Sequence, residues 1–124
     1  MRALTRSLAA LLAAPLLLAA AGDMSVATFL QRAERLERRG PAALFSSELK
    51  VLAAEIIGSR DALYREQEAA RRSGRRPATC IPPKAKNSST EILRHYRAIP
   101  AQHRGMSVKA AYLDFARRKY PCPA

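Results

Sequence analysis

The sequence has two histidines and two cysteines, residue types that often serve in catalysis or bind soft metals: Cys80, His95, His103 and Cys122. The two histidines lie eight residues apart, whereas two histidines that share a metal on one helix are spaced by about three or four. A catalytic histidine needs a nucleophile or an orienting carboxylate beside it, and the sequence places neither. Gly-rich phosphate loops, paired-carboxylate motifs and nucleophile elbows are missing as well. We therefore predict that the protein is not an enzyme and binds no metal or cofactor.

The N-terminus has the three parts of a secretory signal peptide. Arg2 and Arg6 form a positive region, residues 8–18 an apolar run, and residues 19–21 a stretch of alanines suited to cleavage. The apolar stretch up to the last alanine has 14 residues, which is shorter than the roughly 20 that a membrane-spanning helix needs. The pattern therefore predicts export and cleavage.

Cleavage after Ala21 would leave residues 22–124 as one mature domain in the periplasm, without an integral membrane segment. It would remove two of the 22 Lys and Arg and none of the ten Asp and Glu, so the formal charge would fall from +12 to about +10. The mature domain is thus expected to be strongly basic and small, with a modest core.

The two cysteines are best explained as a disulfide, because the periplasm is oxidising and an even count leaves no spare thiol. Two alternatives are weaker. A metal site would need more ligands than two cysteines and two distant histidines, and a nucleophilic cysteine would need a base. A bond between Cys80 and Cys122 closes a loop of 42 residues, for which the chain-entropy model gives roughly 4 kcal/mol.

Apolar residues at helical spacing predict two helices in the N-terminal half. The first follows Ser25 and ends before Gly40; the second begins at Pro41 and continues through Ala70. Gly58 interrupts the apolar stripe of the second helix, which indicates either a bend or the close approach of a neighbouring helix. We favour close approach.

Two further helices are expected in the C-terminal half. Residues 71–87 lack helical periodicity and contain three prolines, so they are predicted to be irregular. Ser88 and Glu91 form a candidate capping box for a third helix. Ser107 is a candidate cap for a fourth, which ends before Pro121. The predicted fold is all-α, a small bundle of about four helices with one disulfide.

Clustered arginines follow the second predicted helix. Clustered cations can bind phosphates of nucleic acid or of anionic envelope polymers, but charged runs between helices are usually solvated, and export removes most access to nucleic acid. We therefore predict no nucleic-acid binding. Exposed irregular segments commonly carry function, so this cluster and the turn before the fourth helix are the predicted partner-binding sites. Their residues are Arg71, Arg72, Arg75, Arg76, His103 and Arg104.

The region between the two cysteines resembles the Rap/Tai family of type VI secretion immunity proteins. The resemblance lies in the Cys80-Ile81-Pro82-Pro83 start, the short helix through Leu93, the Ile99-Pro100 break and the Tyr120-Pro121-Cys122-Pro123 end. A second segment, residues 55–62, resembles the glycine-containing part of the family's earlier long helix. The family usually carries another cysteine pair in its N-terminal half, and this sequence has none there.

The resemblance implies a function. Proteins of that family are small, exported, helical and disulfide-bonded, and they bind a peptidoglycan amidase delivered by neighbouring cells. We therefore expect a periplasmic immunity-type protein whose partner is such an amidase. The family also resembles small periplasmic acid-stress chaperones, so a general chaperone-like or anionic-envelope-binding module is the alternative. The prediction leaves open whether the mature domain is a monomer or a homodimer.

Overall fold

The computed structural model describes residues 20–124, so nearly all of the predicted signal peptide lies outside the described residues. The helices are α1 (Val26–Arg38), α2 (Ser47–Arg72), α3 (Ser89–Arg97) and α4 (Val108–Lys119), with short 3₁₀ segments at Gly40–Phe45 and Ala101–His103. No strand occurs in this part of the chain beyond one isolated bridge. The predicted all-α fold of about four helices with one disulfide is confirmed. None of the described helices combines the length and the apolar character that crossing a membrane requires.

Each of the four α-helices in residues 20–124 begins after a serine that caps its first turn. The caps are Ser25, Ser46, Ser88 and Ser107, each with an extended backbone. Each hydroxyl accepts a hydrogen bond from the backbone N–H three residues later, at 3.0–3.2 Å. These caps satisfy N–H groups that have no partner inside the helix, and each contributes about 1 kcal/mol.

The predicted start of the second helix at Pro41 is wrong. The chain forms a 3₁₀ segment there and α2 begins only after Ser46, whose extended backbone interrupts the helix. The preceding Gly40 has φ of 64°, which turns the chain sharply out of α1. Phe45 fits the apolar stripe of a continuous helix in sequence, but the break leaves it outside α2.

Two smaller predictions also need correction. Arg71 and Arg72 belong to the last turn of α2, not to the irregular segment. The capping box at α3 forms only on one side, because Glu91 does not return a bond to the backbone of Ser88. Its carboxylate binds Lys119 Nζ at 2.7 and 2.8 Å instead, which ties α3 to the end of α4.

The core lies where α2 packs along α4, with α1 and α3 closing it. Tyr96 at its centre is fully buried and meets the Phe29 ring edge-on, with ring centroids 5.6 Å apart. The hydroxyl of Tyr96 donates to the carbonyl of Val108 at 3.0 Å. Burial raises the pKa of this hydroxyl far above its ordinary value, so the side chain stays a neutral donor.

The segments before α1 and α4 pair with each other. Val26 N–H donates to Met106 O, and Val108 N–H donates to Met24 O, at 2.9 and 2.8 Å. The next residue of each helix repeats the pattern, with Ala27 bonding to Arg104 O and Lys109 to Gly22 O. These four bonds satisfy the first amides of both helices and join residues 22–27 to residues 104–109.

Gly58 lies under the segment that precedes α1. A Cβ placed on Gly58 would stand 2.5 Å from Cβ of Ala21, which is closer than two carbon atoms can approach. The predicted close approach is therefore confirmed. The neighbour is the turn at Ala21 and Gly22 and not the helix that we expected.

The disulfide joins Cys80 and Cys122, with Cα atoms 4.9 Å apart. The residues on either side of Cys80 are also fixed by the buried Gln67 of α2. The side-chain oxygen of Gln67 accepts from Thr79 Oγ1 and from Ile81 N, both at 2.8 Å. Cys80 N–H donates to Tyr120 O at 2.9 Å. The irregular segment thus runs across α2 in a single defined path.

Replacement of both cysteines by serine should lower the free energy of unfolding by roughly 2 to 5 kcal/mol, because the unfolded chain loses its cross-link. Urea unfolding of wild type and of the double variant measures the difference. Wild type in reductant is the matched control and should unfold close to the variant. Equal midpoints for oxidised wild type and the variant would contradict a stabilising bond.

Candidate functional site

The arginine cluster predicted to bind a partner lies at the end of α2 and in the turn after it. Arg71, Arg72 and Arg75 are exposed. Arg72 lies 3.3 Å from a glutamate one helical turn earlier. Arg76 donates to the carbonyl of Cys122 at 2.9 Å, so its guanidinium also supports the chain end beside the disulfide.

The two residues of the second predicted site, His103 and Arg104, lie in different environments. His103 is exposed in its 3₁₀ segment. Arg104 is half-buried and donates to the carbonyls of Ile99 and Arg97, at 2.9 and 3.0 Å, so it closes the C-terminal end of α3. The two predicted sites lie at opposite ends of α4, whose 12 residues span about 18 Å. The structure does not bring them together into one surface.

His95 is part of the core. Its ring meets Phe115 edge-on, with centroids 5.5 Å apart, and its side chain is 14% exposed. Nε2 lies 3.1 Å from an Asp114 oxygen, but without the alignment of a hydrogen bond. Within residues 20–124, no group of three or more histidines, cysteines and carboxylates is arranged to hold a metal ion.

An apolar groove runs between α1, the 3₁₀ segment at Gly40–Phe45, α2 and α3. Its volume is about 500 Å³. Aliphatic side chains form most of its wall: Leu36, Leu44, Leu49, Leu52, Ile56 and Leu93. A groove of this size and apolar character accommodates one or two large side chains of a partner.

Large apolar side chains at or near the groove face solvent. Leu44, which lines the groove, is 70% exposed, and the next residue, Phe45, is 90% exposed. On α2, Ile57 lines the groove and is 46% exposed, whereas Val51, 41% exposed, lies on the opposite face of the helix. Single exposed apolar residues are ordinary, but several beside an apolar groove are typical of an interaction surface. We call Leu44, Phe45, Ile57 and the groove the apolar surface.

The Leu44–Phe45 turn is held in place by polar contacts. The hydroxyl of Ser46 donates to Ala43 O at 2.8 Å while it caps α2. In the first turn of α2, Glu48 binds the guanidinium of Arg32 on α1 through both carboxylate oxygens. This double contact lowers the pKa of the Glu48 carboxyl and raises that of Arg32. The two exposed side chains therefore project from a rigid support.

One end of the apolar surface is basic. A smaller cavity of about 320 Å³ continues the groove past Ile56 and Ile57 and is lined by Arg60 and Lys86. Arg60 lies 3.2 Å from its neighbour Asp61. Lys86 is exposed. The site thus offers apolar contact along the groove and cations at one end, which suits a segment that combines large apolar side chains with a carboxylate.

Sequence reasoning missed this surface because it placed Phe45 inside a helix, facing the core. One local signal was available. Ser46 has the residue type of an N-cap and stands just before Glu48, an acidic residue suited to a first helical turn. Starting α2 there leaves Leu44 and Phe45 outside the helix.

The sequence matches no protein-family model, no curated protein and no solved structure. The Rap/Tai resemblance therefore stays a prediction.

The Arg32–Glu48 pair gives a testable pH dependence. Because the folded-state pKa of Glu48 is lowered from its ordinary 4.5, its stabilising effect is complete above that value and is lost as pH falls through the folded-state pKa. Glu48→Gln should therefore be less stable than wild type at pH 7, and the difference should shrink as pH falls below 4.5.

Urea unfolding between pH 7 and pH 3 measures this difference. Glu34→Gln, on the exposed face of α1, is the matched control and should differ little from wild type at any pH. A Glu48→Gln effect of the same size at pH 7 and pH 3 would contradict the assignment.

Proposed function

We propose that this protein is a periplasmic immunity-type protein that neutralises a type VI secreted cell-wall amidase by binding it. The proposal joins the sequence resemblance with one structural observation, the apolar surface around Leu44 and Phe45. The chain supplies no chemistry of its own in this mechanism. Its effect is steric, because a bound domain of this size blocks access of the peptidoglycan strand to the enzyme.

The Leu44–Phe45 turn is the proposed element that enters the partner. Tight interfaces depend on a few large side chains that become fully buried, surrounded by contacts that exclude water. Phe45 is 90% exposed in the free protein, so nearly all of its surface is available for burial. The turn is already fixed by Ser46 and by the Arg32–Glu48 pair. Little ordering entropy is then lost on binding, which favours affinity.

Charge indicates the chemistry of the partner segment. The proposed mature chain carries about +10 by formal count, so an acidic partner is attracted and the encounter is accelerated at low salt. Arg60 and Lys86 lie at one end of the groove. We propose that the partner inserts an apolar side chain into the groove and places a carboxylate near these cations.

The same surface favours a second candidate function. Leu44, Phe45 and Ile57 expose apolar surface at or near an open groove, and unfolded proteins expose apolar segments that such a groove can hold. A chaperone-like protein would bind many clients weakly, since no single side chain pattern is required. The number of partners and the salt dependence of binding separate the two candidates.

The first test is capture of partners by the tagged mature protein from periplasmic extract, with neighbouring gene products co-expressed. We expect one cell-wall hydrolase that is retained at high salt, because buried apolar contacts are not screened. Many partners that elute with moderate salt, together with suppressed aggregation of an unrelated unfolded protein, would support the chaperone-like candidate. Capture of no hydrolase would contradict the immunity proposal.

The second test uses the double variant Leu44→Ser/Phe45→Ser. Removal of two interface anchors should weaken binding to the captured hydrolase by about 100-fold or more. Both side chains are exposed, so the variant should fold and unfold like wild type in urea. Binding is measured by titration calorimetry, and hydrolase inhibition by turbidity of a peptidoglycan suspension.

Two charge variants are the matched controls for the same complex. Arg71→Ala/Arg72→Ala removes two cations at the far end of α2 and should change affinity by less than about threefold at physiological salt. Arg75→Glu/Arg76→Glu tests the cluster predicted from sequence. Full affinity of the Leu44→Ser/Phe45→Ser variant, with loss in either arginine variant, would place the interface on the arginine cluster instead.

A further inference from the structure

Glu55 of α2 holds the backbone just before α1. Its Oε2 atom accepts hydrogen bonds from Gly22 N–H at 2.7 Å and from Met24 N–H at 3.3 Å. Glu55 is half-buried, and no Lys or Arg side chain among residues 20–124 lies within ion-pair distance of it. A half-buried carboxylate without a cation is costly unless a positive group approaches it.

The backbone conformation and the surroundings of residue 22 require a glycine. It is buried and has φ of 100°, a conformation that residues with side chains rarely adopt. A Cβ there would meet Ser59 Oγ at 2.8 Å and Cβ of Lys109 at 3.2 Å. The Gly22 carbonyl accepts from Lys109 N at 3.0 Å. The backbone nitrogen of residue 22 is thus fixed beside Glu55 by contacts on both sides.

The predicted signal cleavage falls at the peptide bond that ends on this nitrogen. We propose that cleavage after Ala21 turns the Gly22 amide into an α-ammonium group, and that Glu55 is its built-in partner in an ion pair. Hydrolysis adds water across the Ala21–Gly22 bond, so the new carboxylate leaves with the signal peptide and the new amine stays with the domain. The inference rests on the proposed export and does not depend on the amidase.

The electrostatics favour this product over the uncleaved chain. The Gly22 amide donates one hydrogen bond to Glu55. An ammonium at the same position donates that bond too and adds a full positive charge, with its nitrogen 2.7 Å from Glu55 Oε2. An α-amino group with an ordinary pKa of about 7.7–8.0 is mostly charged at neutral pH. Processing therefore supplies the cation that the half-buried Glu55 lacks in the uncleaved chain.

The register of the cut determines whether the pair can form. A start one residue earlier would move the ammonium by about 3.8 Å along the chain, to Ala21, which is exposed over Gly58. A start one residue later would remove the buried glycine and its bond to Lys109. A chain that begins at Gly22 places the charge at the shorter of the two contacts with Glu55, 2.7 Å against 3.3 Å for Met24 N.

The folded segment also indicates when cleavage occurs. Asp23 N–H donates to Ala20 O at 3.1 Å, so the bond between Ala21 and Gly22 lies inside a tight turn. Peptidases bind their substrates extended, and this turn would have to open before cutting. We therefore infer that the cut precedes docking of Gly22, and that formation of the ion pair marks a correctly processed chain.

The test begins with the full-length chain expressed for export and recovered from the periplasm. Intact mass and N-terminal sequencing should show a start at Gly22. The α-amine is then labelled with an acylating reagent at pH 7, where only the uncharged amine reacts. Because Glu55 stabilises the ammonium, labelling should be roughly tenfold slower in wild type than in Glu55→Gln, as expected for a charge-assisted hydrogen bond.

Two further variants keep the test decisive. Glu34→Gln is the matched control, since it removes an exposed glutamate from α1, and should label at the wild-type rate. Glu55→Asp retains the charge on a shorter side chain and should label at an intermediate rate, which also serves if Glu55→Gln fails to fold. Circular dichroism and urea unfolding confirm that each labelled variant is folded.

The outcomes separate this inference from the proposed function. Equal labelling rates in wild type and the folded Glu55 variants, with a start at Gly22, would overturn the ion pair while leaving export intact. A mature start at any other residue would overturn it as well. A periplasmic chain that retains its signal segment would overturn both the ion pair and the predicted cleavage, whereas loss of hydrolase binding would affect only the immunity proposal.

Discussion

The fold depends on the pairing between the segments that precede α1 and α4. Four backbone hydrogen bonds of 2.8–3.0 Å join these segments, and each uses an amide at the start of a helix that lacks a partner within that helix. Because Tyr96 donates to Val108 at the same place, the pairing continues into the centre of the core. α1 is thereby held against the C-terminal half. The groove between α1, α2 and α3 exists only because α1 is fixed in this position.

The sequence predicts much of this architecture because the decisive signals are local. Serine caps, apolar periodicity and prolines locate the helices within a few residues, and an even cysteine count behind a predicted export signal predicts the disulfide. The pairing of the two helix starts has no such signal, since it joins backbone groups about 80 residues apart and any residue type can form it. Gly58 signals a close approach, but not which segment approaches.

The candidate site was harder to predict for a physical reason. Clustered charge is easy to find in a sequence, so the sequence predicts a binding site at the arginines around Ser73. Two of the predicted residues bind backbone carbonyls instead: Arg76 binds that of Cys122, and Arg104 binds that of Ile99 after the end of α3. Phe45, in contrast, has the residue type of a core position and becomes exposed only because Ser46 ends the 3₁₀ segment. A rigid turn with an exposed aromatic side chain is a better candidate for recognition than solvated cations.

The central claim is that the apolar surface is where the partner binds. Hydrogen exchange of the backbone amides, measured by mass spectrometry on the free protein and on its complex with the captured hydrolase, tests this directly. The account predicts slower exchange in residues 40–57 of the complex, with residues 71–76 and 101–104 unchanged. Protection confined to residues 71–76 or 101–104, with unchanged exchange in 40–57, would contradict it.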